Sequence, residues 1–214
     1  MLQITQLAVG ELAANCFLVA DAEQNAVIID PGAEGDYIIR EIERRGLKPL
    51  AALLTHAHFD HFGAAADVTD HFDIPLYVHP LDEPMLHSAD KSMANGLGFG
   101  AAYRQPDAKR FRNFRDGETL KFSEELTFLV IHTPGHTPGG CCFRHEDVLF
   151  SGDTLFRQGV GRVDFPGGNI HDMRASLAKL GALEGNCTVY TGHYESTTLD
   201  FEREYGHYLI PRKL

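Results

Sequence analysis

Three imidazoles and a carboxylate fall within six consecutive positions of this chain. They are His56, His58, Asp60 and His61, in the run T-H-A-H-F-D-H-F-G from Thr55 to Gly63. Imidazole is the commonest ligand for borderline divalent metals, and a carboxylate offsets part of their charge. The cluster directly follows the apolar run Leu50 to Leu54, where unpaired polar groups are costly unless something binds them. In an extended turn alternate side chains share a face, so His56 and His58 can grip one ion. Asp60 and His61 then lie past the bend, where they could hold a second.

Three later positions share one pattern. His136 lies in T-P-G-H-T-P-G after an apolar run ending at His132. Asp153 lies in S-G-D-T-L-F after a run ending at Phe150, and His193 lies in T-G-H-Y after a run ending at Thr191. Each stands close to glycine, which lets the backbone turn sharply and approach closely. Strand-end loops of this kind can converge on one rim of a sandwich. With the first cluster they supply five imidazoles and two carboxylates, enough for two metal ions. His71, His79, His87, His132, His145, His171 and His207 have no such partner spacing and read as surface or core.

On these motifs the chain resembles the metallo-β-lactamase-fold hydrolases. The matching elements are D-P-G at Asp30 to Gly32, T-H-A-H-F-D-H at Thr55 to His61, T-P-G-H-T-P-G at Thr133 to Gly139, G-D-T-L-F at Gly152 to Phe156, and T-G-H at Thr191 to His193. Within the superfamily, G-D-T-L-F followed by Gly161-Arg162 looks most like glyoxalase II (hydroxyacylglutathione hydrolase) and its single-domain relatives. The resemblance implies one metal at His56, His58 and His136, a second at Asp60, His61 and His193, and Asp153 bridging them. Asp30 would orient a ligand histidine through its other ring nitrogen. Zinc is the expected metal, with iron or manganese as alternatives. The resemblance also implies a thioester substrate of the S-lactoylglutathione kind, with Arg162 and Arg157 as candidate contacts for a substrate carboxylate.

The chain departs from that pattern in places. Glyoxalase II carries a C-terminal helical domain that helps to bind glutathione, and too few residues follow His193 to form one. Asp164 replaces the tyrosine expected two positions after Arg162 and would repel an anionic substrate locally. Aspartate rather than cysteine at the bridging position disfavours true β-lactamase activity.

The chemical case for hydrolysis stands apart from the resemblance. Two divalent ions about 3.5–4 Å apart can share a hydroxide and stabilise both attack and the developing oxyanion. Asp60 and Asp153 are then ligands that also orient this hydroxide. No G-x-S-x-G elbow occurs, and none of the cysteines lies beside the constellation, so a covalent nucleophile is not expected. The competing enzyme reading is a persulfide dioxygenase on the same fold, with a single iron held by His56, His136 and Asp153. Lactone or other ester hydrolysis is a further alternative. The non-enzymatic reading is a metal-bearing scaffold.

The elements that must carry these residues follow from periodicity. Strands are expected at Gln3 to Val9, Cys16 to Ala20, Ala26 to Asp30, up to Leu54, and at Pro75 to Val78. A second group is expected at Thr119 to Phe122, Leu126 to His132, Gly140 to His145, Asp147 to Phe150 and Thr188 to Thr191. Helices are expected at Glu34 to Arg45, about Phe62 to Phe72, and about Ile170 to Leu180. Two β-rich halves, each trailed by helices, imply an α/β (α+β) fold, a four-layer αββα sandwich with the site at one rim. Residues 1–214 read as one domain, with a lid or excursion around 84–115 where periodicity fades.

Composition narrows the partners. The 19 basic against 30 acidic residues give a formal charge of −11, which argues against nonspecific binding to nucleic acid or anionic membrane. No apolar run approaches the ~20 residues of a membrane span. The first arginine is Arg40, and Glu11 interrupts the early apolar stretch, so no export signal is evident and a cytoplasmic location is expected. Cys16, Cys141, Cys142 and Cys187 lack C-x-x-C spacing and read as free, buried thiols.

Overall fold

The computed structural model describes residues 2–209. Strands β1 (Gln3–Val9), β2 (Ala14–Ala20) and β3 (Asn25–Ile29) form an antiparallel meander. Helix α1 (Gly35–Arg44) crosses over to β4 (Lys48–Leu53), parallel to β3. Helices α2 (Phe59–Phe62) and α3 (Ala65–Phe72) lead on to β5 (Leu76–Val78), parallel to β4, and β6 (Phe111–Asn113) adds the edge. Such parallel pairings require crossovers, and the helices supply them.

The second sheet begins with β7 (Thr119–Lys121), β8 (Thr127–His132), β9 (Cys141–His145) and β10 (Val148–Gly152), all antiparallel. Helix α4 (Ile170–Gly181) crosses over to β11 (Thr188–Thr191), parallel to β10. Strand β12 (Thr197–Thr198) and helix α5 (Leu199–Glu204) follow. The described residues thus form two six-stranded sheets.

Three apolar layers hold the sandwich together. Between the sheets, Phe17, Val27, Ile29 and Leu53 of the first meet Phe128, Val130, Phe143 and Phe150 of the second. On the outer face of the first sheet, Leu18 and Ile28 pack under Ile38 and Ile42 of α1 and Val68 of α3. On the outer face of the second, Ile131, Cys142 and Leu149 pack under Met173, Leu177 and Leu180 of α4. The order is therefore helix, sheet, sheet, helix. Central strands buried on both faces read as unbroken apolar runs, as Val27-Ile28-Ile29 does.

One expectation is corrected. The single helix expected from Phe62 to Phe72 is two helices separated at Gly63-Ala64, and the first begins at Phe59. Asp60 and His61 therefore sit on a helical turn rather than in a loop past a bend. Phe59 and Phe62 cause this, because both sink into one cluster with Leu54, Leu76 and Val78. The stretch from 84 to 115 holds short 3-10 turns and strand β6. Its Phe99 and Tyr103 pack against Phe59, and Arg104 pairs with Asp67 and Asp70 of α3. The four cysteines are free and buried. No helix among the described residues is long and apolar enough to cross a membrane.

Candidate metal centre

Five chain segments meet at one rim of the sandwich, each leaving the C-terminal end of a strand or the turn after it. The segment after β4 carries His56 and His58 and runs into α2 with Asp60 and His61. Those after β8, β10 and β11 carry His136, Asp153 and His193, and Asp30 follows β3. Two backbone contacts lock the rims of the two sheets together. Cys141 N–H donates to the Thr55 carbonyl at 2.8 Å, and Asn15 N–H to that of Gly192 at 2.7 Å. A side chain at position 192 would run into Asp153 and His61, so glycine there is what permits the approach.

The side chains form two groups. In the first, His58 Nδ1 lies 2.8 Å from His136 Nε2, and the His56 ring stands 4.9 Å from that of His136. In the second, His61 Nε2 lies 3.3 Å from His193 Nε2, and Asp60 Oδ2 lies 3.3 Å from His193 Nε2. Asp153 lies between them. Its Oδ2 is 3.4 Å from His136 Nε2 and 3.7 Å from His193 Nε2, and its Oδ1 is 3.4 Å from His61 Nε2.

Hydrogen bonds on the outside of the site decide which ring nitrogens face in. His136 Nδ1–H donates to the Arg162 carbonyl at 2.7 Å, and His193 Nδ1–H to the Leu12 carbonyl at 3.1 Å. His61 Nδ1–H donates to Asp30 Oδ2 at 2.9 Å. Each leaves Nε2 turned to the centre, where a neutral ring presents a lone pair. Asp30 also accepts from Thr55 N–H at 2.7 Å and Thr55 Oγ1–H at 2.6 Å. With both oxygens so engaged, it acts as a clamp on the His61 ring.

The fit to a cation rests on unsatisfied atoms. His56 Nε2 and Asp153 Oδ1 are buried with no hydrogen-bond partner, a costly arrangement for polar groups unless something binds there. Three triads bring one donor atom from each member within 4.8 Å of the others: His56, His58 and His136; Asp60, His61 and His193; and Asp30, His56 and His61. The first two are disjoint and the third shares members with both, so the donors suffice for two ions.

Electrostatics sort the same residues. Burial, reinforced by the neighbouring imidazoles, pushes His56 well below the ordinary histidine range. Burial and His136 push His58 down to about 3. Both rings are neutral at pH 7, the form that ligates. Burial also opposes charge on His61, yet Asp153, Asp60 and Asp30 outweigh it and raise that imidazole to about 10. Burial works against ionised Asp60, but His61, His193 and His58 hold its carboxyl well below the usual range.

The two arginines expected to meet substrate are already paired. Arg162 grips Asp164 through two 2.7 Å bonds, and its guanidinium covers the Phe165 ring at 4.0 Å. Arg157 lies 3.5 Å from Glu195 and over Phe201. His132 stacks on His79 with ring centroids 4.3 Å apart and donates to the Pro138 carbonyl. Sequence reasoning missed Thr55, Asn15 and Asp82. Asn15 Nδ2 donates to the Thr191 and Tyr194 carbonyls on either side of His193, at 2.9 Å each. Asn15 and Asp82 have no motif spacing to mark them, and Thr55 opens the T-H-A-H-F-D-H motif without being assigned a role there.

A rim of convergent imidazoles and carboxylates on an αββα sandwich defines a metal-dependent enzyme class, and comparison with known proteins names it. The model of the metallo-beta-lactamase superfamily matches residues 9–193, and the chain belongs to that superfamily. It is 36% identical to the hydroxyacylglutathione hydrolase GloC of Haemophilus influenzae over 202 residues, covering 91% of this chain and 92% of that protein. Among solved structures, BLEG-1 B3 metallo-beta-lactamase superposes with TM-score 0.89 at 36% identity, covering 98% of this chain and all of the other. TTHA1623 in a di-iron-bound form gives TM-score 0.86 at 38% identity, covering 96% of this chain and all of the other.

Proposed function

We propose that the chain is a dinuclear metal-dependent hydrolase, a thioesterase of the glyoxalase II type acting on S-lactoylglutathione-like thioesters. The observation that carries this reading is the place of Asp153, within 3.7 Å of imidazoles from both donor groups. His56, His58 and His136 would hold one divalent ion and Asp60, His61 and His193 a second, with Asp153 available to either. Zinc suits the donors, and the di-iron form of TTHA1623 makes iron a second candidate. When bound, the ions lower the pKa of water at the site and polarise the substrate carbonyl.

The chain's own residues do the rest. The clamped rings keep the site rigid, so little reorganisation accompanies reaction. Asp60, held ionised, and Asp153 present acceptor oxygens that orient the attacking water. Addition of its oxygen to the carbonyl, with one water proton passing to solvent, and loss of the C–S bond release a carboxylic acid and a thiolate, which departs without a general acid. No side chain is assigned that role. Arg162 and Arg157 hold a substrate carboxylate after exchanging their present partners.

The likeness to BLEG-1 B3 metallo-beta-lactamase favours β-lactam opening as the second reading. The test is metal analysis of purified protein, then a panel of thioesters, lactones and β-lactams. Fast thioester turnover with two equivalents of metal is expected. If β-lactams or lactones turn over rapidly while every thioester is untouched, the proposal fails. Oxygen uptake with glutathione persulfide and one bound iron would instead establish the dioxygenase.

A further inference from the structure

Asp82 belongs to no motif, yet it is fully buried and bonded to two segments of the site. It precedes the 3-10 turn Glu83–Met85, between β5 and β6. Its Oδ2 accepts from Ala57 N–H at 3.1 Å, the residue between His56 and His58. The same oxygen accepts from Thr137 Oγ1–H at 2.7 Å, one residue after His136. Its Oδ1 accepts from Gly139 N–H at 2.6 Å, and a side chain at 139 would occupy the space of the carboxylate. One carboxylate thus cross-links the two loops that carry His56, His58 and His136, and these loops come from different sheets.

We infer that Asp82 is the positioning residue for the His56, His58 and His136 donor group, setting its affinity for metal separately from that of the Asp60, His61 and His193 group. Asp30 differs from it in bonding a ligand ring directly, His61, and it also holds Thr55 beside His56. Asp82 bonds neither His61 nor His193, and Asp30 bonds neither His58 nor His136. All three partners of Asp82 are placed to donate. An asparagine must turn its NH2 toward either Ala57 N–H or Gly139 N–H, so Asp82→Asn breaks one inter-loop link while keeping volume. Second partners of this kind set ligand affinity by about 10–100-fold.

The inference rests on the two-group reading of the site, but its test does not need the thioesterase reading. Zinc is added stepwise to metal-free wild type, Asp82→Asn and Asp30→Asn against a chromophoric chelator. The histidine ring nitrogens are followed by NMR to tell which group fills. Asp82→Asn should weaken filling of His56, His58 and His136 at least tenfold and leave the His61 and His193 signals responding at wild-type zinc. Asp30→Asn should weaken filling of the His61 and His193 group and, through Thr55, disturb His56 as well, while leaving the Asp82 links to Ala57, Thr137 and Gly139 intact. Thr137→Val removes only the 2.7 Å hydroxyl link and should give a smaller loss at the same group, which keeps the question answerable if Asp82→Asn does not fold. Equal weakening of both groups, or wild-type affinities in folded Asp82→Asn and Thr137→Val, would overturn the assignment. Normal zinc filling with no thioester turnover in wild type would instead remove the proposed substrate and leave Asp82 untouched.

Discussion

Asp153 stands within 3.7 Å of imidazoles from both donor groups. Asp153→Ala should reduce kcat by about 10²–10⁴-fold, the range for removing a group positioned at the reacting atoms. Circular dichroism should show the fold retained, and comparable kcat in a folded, metal-loaded variant would contradict its role. Arg162 poses a different question. Its pairing with Asp164 is solvent-exposed on both sides, and exposed pairs contribute little. A substrate carboxylate can therefore displace Asp164. Asp164→Asn should lower KM for a carboxylate-bearing thioester by up to about tenfold, and Arg162→Ala should raise it by a similar factor, the scale of one charge-assisted bond. Both changes should leave kcat nearly constant, because contacts remote from the scissile bond hold ground and transition states alike. Steady-state kinetics with charged and neutral thioesters would separate the two effects.

Helix α4 shows how far local sequence decides an element. Asn169 caps it, accepting from His171 N–H at 2.8 Å and Asp172 N–H at 3.3 Å. Asn169→Ala should cost about 1 kcal/mol, seen as a fall in Tm of about 2–4 °C for a chain of this size. That helix was legible because Met173, Leu177 and Leu180 repeat at helical spacing and face one sheet. The bounds of β1 were legible from a run bounded by turn residues. The break between α2 and α3 was not. A four-residue helix has too little periodicity to detect, and only the burial of Phe59 and Phe62 against β4 and β5 defines it. Strand β6 was invisible because three residues at a sheet edge are ordered by β5, not by their own pattern. Convergence of the His and Asp side chains could be read because each stands at a strand end near glycine. The roles of Asp82 and Asn15 could not, since a buried polar residue is recognised by its partners rather than its spacing.

At the scale of the whole molecule, the donor groups join the rims of both sheets, so metal and stability are coupled. A ligand present at about 100 times its Kd adds roughly 2.7 kcal/mol per site, so chelation should lower Tm by several degrees. Protons enter the same balance. His61 in the folded, metal-free chain lies near 10 against an ordinary 6.5, so the folded state holds that proton more tightly than the unfolded one. Its stabilising contribution is complete below about pH 6.5 and is lost as pH rises through about 10. His58, depressed to about 3, contributes in the opposite sense, fully above about pH 6.5 and progressively less as pH falls toward 3. Metal-free protein should therefore be most stable near neutral pH and lose stability on the alkaline side. Occupation of the second donor group removes the proton from His61 Nε2 while Asp30 retains the one on Nδ1. Metal affinity there should climb by up to about tenfold per pH unit between about pH 7 and 10, with the alkaline loss of stability abolished. Thermal melts of chelated and metal-loaded protein across that range would show the difference. Calorimetry in buffers of different ionisation enthalpy should record release of at least one proton as this group fills at pH 7. Metal binding with no proton release would show that His61 is neutral before the ion arrives, and the charge balance drawn for the site would be wrong.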